Sequence, residues 1–264
     1  MRLHGYLRLR RRLSRLRITQ HVASRLAPVA CFLHEIDRGL LRLHPADIRL
    51  RHEFNRWAEK GLGETMESDH VWFTERALDK MNLFAASRIL DLGCGQGYAS
   101  RLMAARSDGF CQVVGLDVSD EMVRRARTKS RQFERITFLC GSAEHIPCRD
   151  AVFTEVLSIS AFYYFENQER VLKELFRVLA PGGHLLILVG LYNGAPDWRV
   201  LARKLKVPVH LRTADEYKSI LQSTGWVDVE AQVLAQACES DRRTVDHERA
   251  LLISARRPCL AVAR

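Results

Sequence analysis

The sequence predicts an α/β fold: a doubly wound, mostly parallel seven-stranded sheet with helices on both faces, preceded by a helical N-terminal extension. Three observations carry that expectation. From residue 88 onward, short apolar runs alternate with amphipathic helical stretches, the pattern of βαβ units in a parallel sheet. The first of those runs ends in three glycines at alternate positions, Gly93, Gly95 and Gly97, directly before a helical stretch. Residues 29–86 instead space their large side chains for helices, with Phe54, Trp57 and Ala58 followed by Val71, Trp72, Ala77, Leu78 and Met81.

Within the N-terminal region, Gly61 to His70 reads as a flexible, polar turn between two helices. Strands are then expected at 88–92, 112–117, 136–140, 154–158 and 184–189, with helices at 97–107, 120–131 and 166–179. Ser119 is the expected N-cap of the second of these helices, with Asp120 and Glu121 in its first turn and Lys129 and Arg131 in its last, as the helix dipole favours. The third buries Val171, Leu172, Leu175, Phe176 and Leu179 and stops at Pro181-Gly182-Gly183. Thr213-Ala-Asp-Glu216 is a capping box that opens a helix ended by Gly225. Residues 226–234 and 250–255 supply the last two strands. The expected organisation is a basic tail at 1–27, a helical cap at 28–86 and a ligand-binding domain at 87–264, with an insertion at about 191–211 that covers the pocket.

Charge is concentrated at one end. Residues 1–60 hold 14 Lys/Arg against 5 Asp/Glu, whereas the rest of the chain holds 27 against 26. The basic isoelectric point therefore belongs to the N-terminal quarter and does not mark the remainder as a nucleic-acid binder. In the first thirty residues, Leu9, Leu13 and Leu16 form a helical stripe flanked by arginines, with no acid anywhere. That pattern suits a loosely attached tail, a reading frame begun too far upstream, contact with an anionic membrane surface or RNA, or a transit peptide. No segment approaches the roughly 20 apolar residues of a membrane span. Seven cysteines without a CxxC pair fit a reducing compartment, hence a cytoplasmic protein, and no zinc pattern is present.

The segment Ile89-Leu-Asp91-Leu-Gly93-Cys94-Gly95-Gln-Gly97-Tyr98 carries the most chemistry. Glycines there let a ligand approach the backbone, and the following helix N-terminus is expected to offer free N–H groups. The spacing is G-x-G-x-G, not the G-x-G-x-x-G of dinucleotide sites, and Asp91 would oppose a pyrophosphate but suits a cation, so NAD is not expected. Asp117 closes the second strand, where a carboxylate can accept both hydroxyls of a ribose. Cys94 reads as a small residue in a tight turn, not a nucleophile.

These residues resemble the first and second motifs of the class I S-adenosylmethionine-dependent methyltransferases, with Asp91-x-Gly93-x-Gly95-x-Gly97 as the first and Asp117 as the second. Gly141 to Pro147 resembles that family's loop beside the adenine, and Leu179 to Gly183 the turn before its fifth strand. The likeness is greatest to the small-molecule branch of ubiquinone, menaquinone and sterol methyltransferase-like enzymes. It implies a Rossmann-like fold and S-adenosylmethionine as cofactor. It further implies Asp91 near the methionine amino group, Gly93, Cys94, Gly95 and Gly97 around the methionine, Asp117 on the ribose, and Val118, Ser142 and Ala143 about the adenine, with Ser158 closing the cofactor set. The family often has Asp where Ser142 stands, and many relatives have Asp where Glu155 stands. The acceptor should lie over Ser158 to Tyr164, where Tyr163 and Tyr164 supply aromatic walls; Phe54, Trp57 and Met66 are the expected lid. His70 is the leading general-base candidate, with Tyr163 as a second catalytic candidate, while His145 reads as an adenine neighbour and His184 as structural. The expected function is methyl transfer to a small, apolar or aromatic acceptor. An RNA methyltransferase steered by the basic arm and a non-catalytic S-adenosylmethionine-binding protein are the alternatives, nucleic acid not being the expected acceptor. The sequence leaves the oligomeric state open.

Overall fold

The computed structural model describes residues 43–84, 86–195, 198–236 and 249–259. The expectations for residues 1–27 lie outside that set.

Among the described residues two helices come first, α1 (Pro45–Glu59) and α2 (Leu62–Leu78). The turn expected over residues 61–70 is confined to Gly61, whose φ of 71° starts α2; the residues after it continue as helix. Leu62, Glu64, Met66 and Glu67 are good helix formers, and they outweigh the single Gly63. The sheet follows as β1 (Arg88–Leu92), α3 (Tyr98–Arg106), β2 (Gln112–Asp117), α4 (Asp120–Lys129), β3 (Ile136–Cys140) and β4 (Phe153–Ile159). A 3-10 turn at Phe162–Tyr164 leads to α5 (Gln168–Val178), β5 (Leu179–Val189), α6 (Trp198–Lys204), α7 (Ala214–Ser223), β6 (Val227–Ala235) and β7 (Arg249–Arg256).

Strand order is β3-β2-β1-β4-β5-β7-β6, parallel from β3 to β5 and antiparallel at β7 and β6. The order reverses between β1 and β4, where an open α/β sheet forms its ligand crevice at the carboxyl ends of the strands. Side chains along each strand sort by the two-residue period into two cores. Leu90, Leu92, Leu185, Ile187 and Val189 pack under α5 and α7 with Leu172, Leu175 and Tyr217. Ile89, Leu186 and Leu188 pack on the other face against Phe73, Ala77 and Leu78 of α2 and Met103 of α3. Being covered on both sides, β5 can be apolar throughout its second half. The second core makes α2 part of the domain rather than an appendage.

Local capping behaves as read. Ser119 accepts the Met122 N–H to start α4, and Thr213 and Glu216 form the reciprocal box of α7. Strand β5 begins at Leu179, earlier than expected, because Leu179 pairs with Phe153 before an irregularity restores the register at Glu155. His184 pairs in register with Glu155, its Nδ1 3.4 Å from the carboxylate, as a structural histidine would. Among the described residues, no helix is long and apolar enough to cross a membrane.

Candidate functional site

The glycine turn folds back onto β2. The N–H groups of Gly93 and Cys94 both donate to the Leu116 carbonyl, at 2.8 and 3.1 Å, and that of Gly97 to the Cys94 carbonyl. The Gly95 N–H donates to Asp117 Oδ2 at 2.9 Å, while Asp117 Oδ1 accepts the Ser119 N–H at 2.8 Å. The amides of Gly93, Cys94, Gly95 and Gly97 are therefore satisfied within the turn and by β2, as a turn this tight requires. Burial raises the Asp117 carboxyl above the usual range, against the pull of these backbone N–H groups. Its oxygens keep lone pairs on the cavity side for hydroxyl donors.

The three glycines have different neighbours. A Cβ on Gly93 would lie 2.3 Å from the Ala161 Cβ, and one on Gly97 2.6 Å from the Phe138 ring. One on Gly95 would meet no atom within 4 Å. Gly93 and Gly97 thus serve packing, and Gly95 faces open space.

That space is a cavity of about 970 Å³ with its open mouth included. Its floor runs from Ile159 and Ser160 after β4, across Gly93 to Gln96, to Asp117 and Val118, and ends at Gly141 and Ala143 after β3. Its roof is Asp47, Leu50 and Phe54 of α1 with Gly63, Glu67 and His70 of α2. Helix α1 is fixed across the start of α4: Asn55 accepts from the Ser119 hydroxyl at 2.6 Å and donates to Asp120 at 2.9 Å, and Arg51 donates to Asp120 at 2.8 Å. These donors hold the Asp120 carboxyl down at about 2, Arg51 contributing most. Helix α2 is tied to the floor by Glu64 with Lys129 and by Glu67 with Arg101.

Of the residues expected at the site, Gly93, Cys94, Gly95, Asp117, Val118 and Ala143 border the cavity, as do Phe54, His70 and Tyr164. Others stand back from it. Gly97 is packed under Phe138. Ser142 is buried with its hydroxyl accepting the Glu144 N–H at 3.1 Å, so it holds the loop rather than facing a ligand. Ser158 is wholly buried within β4. Trp57 turns aside to donate to Glu53 at 2.8 Å. Tyr163 is buried behind Tyr164, their ring centroids 4.5 Å apart. Burial raises the Tyr163 phenol to about 12 and the Tyr164 phenol well above its usual value, so neither is a phenolate near neutral pH. The catalytic role expected of Tyr163 finds no cavity face to act on. The Met66 side chain lies outside the described ones. The described residues of 191–211 do not border the cavity; His210 instead donates its N–H to the Tyr163 carbonyl and accepts from Gln168. His145 likewise lies off the cavity wall. Cys94 is buried, its thiol pushed well above 9 mainly by burial, which removes it as a nucleophile.

Asp91 lies behind the wall. It is 1% exposed, and its Oδ2 accepts the Ser100 hydroxyl at 2.5 Å. Burial raises its pKa to about 6, with Ser100 pulling it down and Asp117 pushing it up. A carboxyl whose folded pKa exceeds its free value binds its proton more tightly in the native state. Unliganded stability therefore falls as pH rises from about 4 to 6, by on the order of 2–3 kcal/mol in all. Melting temperatures from pH 4 to 7 are expected to fall more steeply in the wild-type chain than in Asp91→Asn, which keeps only the smaller fall from the buried Asp117 carboxyl. Parallel curves would sink the assignment.

Ser160, on the cavity floor, adopts φ 49°, the left-handed region that costs a side-chain-bearing residue about 1–2 kcal/mol. Glycine relieves that strain at an entropic cost of about 0.4–1 kcal/mol in the unfolded chain. Ser160→Gly is therefore expected to raise the melting temperature by up to a few degrees. A clear drop on thermal melting would show that the hydroxyl contributes more than the strain removes.

Sequence reading missed Asp47, Leu50, Gly63, Glu67, Gln96 and Tyr98 on the cavity wall. Only Pro45, a first-turn proline ahead of an acid, signalled where α1 would begin.

Residues 90–187 match the family described as "Methyltransferase domain". The chain is 29% identical over 183 residues to 27-O-demethylrifamycin SV methyltransferase of Amycolatopsis mediterranei, covering 65% of each chain. It is 39% identical over 115 residues to demethylmenaquinone methyltransferase of Thermus thermophilus, covering 43% of this chain and 51% of that one. Among solved structures, the complex between the Haloferax volcanii Trm112 methyltransferase activator and the putative methyltransferase contains a chain that superposes with a TM-score of 0.71 at 27% identity, over 78% of this chain and 98% of that one. The site and the sheet order define a nucleoside-binding α/β domain of the methyltransferase type. Residues 90–187 carry this methyltransferase domain, and the chain is similar to class I S-adenosylmethionine-dependent methyltransferases of the small-molecule branch. It spans about two thirds and about half of the two curated relatives just named.

Proposed function

We propose that the protein transfers a methyl group from S-adenosylmethionine to a small apolar or aromatic acceptor. The observation that supports it most is a single cavity joining a ribose-type carboxylate, Asp117, to an aromatic end made by Phe54, Tyr164 and Phe165. The residues present suit the cofactor: Gly95 leaves an unfilled cradle beside Asp117, and Asp91 puts a carboxyl close behind the same turn. When bound, that cofactor supplies a methyl group on a sulfonium that already leaves readily. The chain's own work is then to hold the acceptor in line, where orientation can contribute about 7–11 kcal/mol. Phe54 and Tyr164, edge to face at 5.0 Å, would clamp a flat or apolar acceptor while α1 and α2 exclude water. His70, on the roof, is the candidate to accept a proton from a hydroxylic acceptor, since the neighbouring phenols are held protonated. The relatives named for rifamycin and menaquinone substrates support an acceptor of this size and character.

Calorimetry and thermal melting are expected to show binding and stabilisation by S-adenosylhomocysteine and none by NAD. Stabilisation by NAD alone would overturn the cofactor assignment. Incubation of a metabolite extract with methyl-labelled S-adenosylmethionine, followed by mass identification of the labelled product, then reads the acceptor. Label confined to RNA would refute the small-molecule reading.

A further inference from the structure

Resting on the cavity being the cofactor site, we propose that Asp47 of α1 reads the adenine amino group and so sets the preference for an adenine nucleoside. The sheet order dictates where the base lies. With a ribose on Asp117 at the end of β2, one end of the nucleoside points over β1 and β4, and the other over β3. At the β3 end the floor is Val118, Gly141 and Ala143, which bring no side-chain acceptor. The Ser142 hydroxyl is turned away to the Glu144 N–H.

The cavity is bordered by three acids among the described residues: Asp47, Glu67 and Asp117. Asp117 is at the ribose position, and Glu67 pairs with Arg101 of α3, on the side of β1. Asp47 belongs to the β3 end. Three residues before it, His44 reaches Glu144 at 3.8 Å, and one turn after it Leu50 packs in the same core as Ala143. The Asp47 charge is also one of those felt by Glu144, whose carboxyl is raised first by burial. Asp47 is 8% exposed, and its Oδ2 accepts the His44 N–H at 3.1 Å, which orients the carboxylate at the first turn of α1. A carboxylate has about four acceptor positions, so this bond leaves capacity for an amino donor. Asp47 lies outside residues 90–187, so the selection comes from the N-terminal helix and not from the matched domain.

Hypoxanthine tests the idea because it replaces the donor amino group with an acceptor oxygen. Facing a carboxylate set for the 6-position, that oxygen is repelled, and the N1–H that hypoxanthine gains lies one ring position away, whereas the adenine amino group gains a charge-assisted bond. Calorimetry compares S-adenosylhomocysteine with S-inosylhomocysteine on the full chain. The wild-type chain is expected to prefer the adenine compound by about 100-fold, the effect of one bond to a charged group and its loss. Asp47→Asn keeps an oxygen for the His44 N–H and adds an amide donor, so the preference is expected to collapse to less than about tenfold or to reverse. Asp47→Glu, which keeps the charge but displaces it, is expected to weaken the adenine compound and guards against a misfolded Asn variant. Ser142→Ala should leave the preference intact. An unchanged preference in Asp47→Asn or Asp47→Glu, with S-adenosylhomocysteine still bound, overturns this assignment alone. A wild-type chain that does not bind S-adenosylhomocysteine overturns the cofactor reading, and this assignment with it.

Discussion

A Gly95→Val variant is expected to stay folded and to bind S-adenosylhomocysteine at least about 100-fold more weakly than the wild-type chain, a loss of about 2.7 kcal/mol. Gly95 holds φ 51°, and a Cβ there meets no protein atom within 4 Å. The valine therefore strikes nothing in the free protein. Its cost to the fold is the left-handed conformation, about 1–2 kcal/mol or more for a β-branched residue, which a domain with two continuous cores can absorb. The isopropyl group instead fills the space that a ligand on Asp117 must cross. Valine at Gly97 should behave in the opposite sense. Its Cβ would stand 2.6 Å from Phe138 and 3.2 Å from the Ala126 Cβ, in the core beneath α4. Overpacking adds to backbone strain there, and thermal melting should fall sharply. Calorimetry and melting on both variants separate ligand space from packing. Tight binding by folded Gly95→Val would show that the turn does not carry the ligand.

The division of labour among the glycines bears on how much of the site the sequence could reveal. Strand-turn-helix order, Ser119 and Thr213 as caps, and the acids Asp91 and Asp117 are local features, and local patterns reported them. What a local pattern cannot report is which atom a donor finally reaches. The amides of Gly93, Cys94 and Gly95 find their acceptors on β2, at the Leu116 carbonyl and the Asp117 carboxylate, which no local pattern shows. In Phe162-Tyr163-Tyr164 nothing in the order of rings says which one faces the cavity; the 3-10 turn places Tyr164 outward and Tyr163 behind it. Asp47 and Leu50 were invisible for a further reason. They reach the site through a helix docked by Asn55 and Arg51 on α4, more than sixty residues away along the chain. The misread turn before His70 shows the reverse, since the Gly61 and Gly63 pair looks like a break but only Gly61 needs a left-handed conformation.

Three N-terminal deletions are expected to separate tail, roof and core. Removing residues 1–27 should leave S-adenosylhomocysteine affinity within about twofold, because among the described residues those bordering the cavity all lie between Asp47 and Phe165. Removing residues 1–60 takes away α1. The cavity loses Asp47, Leu50 and Phe54 from its roof, and α4 loses the Asn55 bonds at its start. The second core is untouched, since Phe73, Ala77 and Leu78 of α2 remain against Ile89 and Met103. That protein should stay folded, bind the cofactor product at least about tenfold more weakly, as loss of a charged bond and of apolar cover requires, and show no turnover. Removing residues 1–79 strips Phe73, Ala77 and Leu78 as well and uncovers one face of the sheet. An exposed apolar face of that extent should bring aggregation rather than a weak enzyme. Melting and calorimetry on the three proteins check the order. If the chain lacking residues 1–60 binds as the wild type does, Asp47, Leu50 and Phe54 border the cavity without touching its ligand, and α1 is a brace rather than a roof.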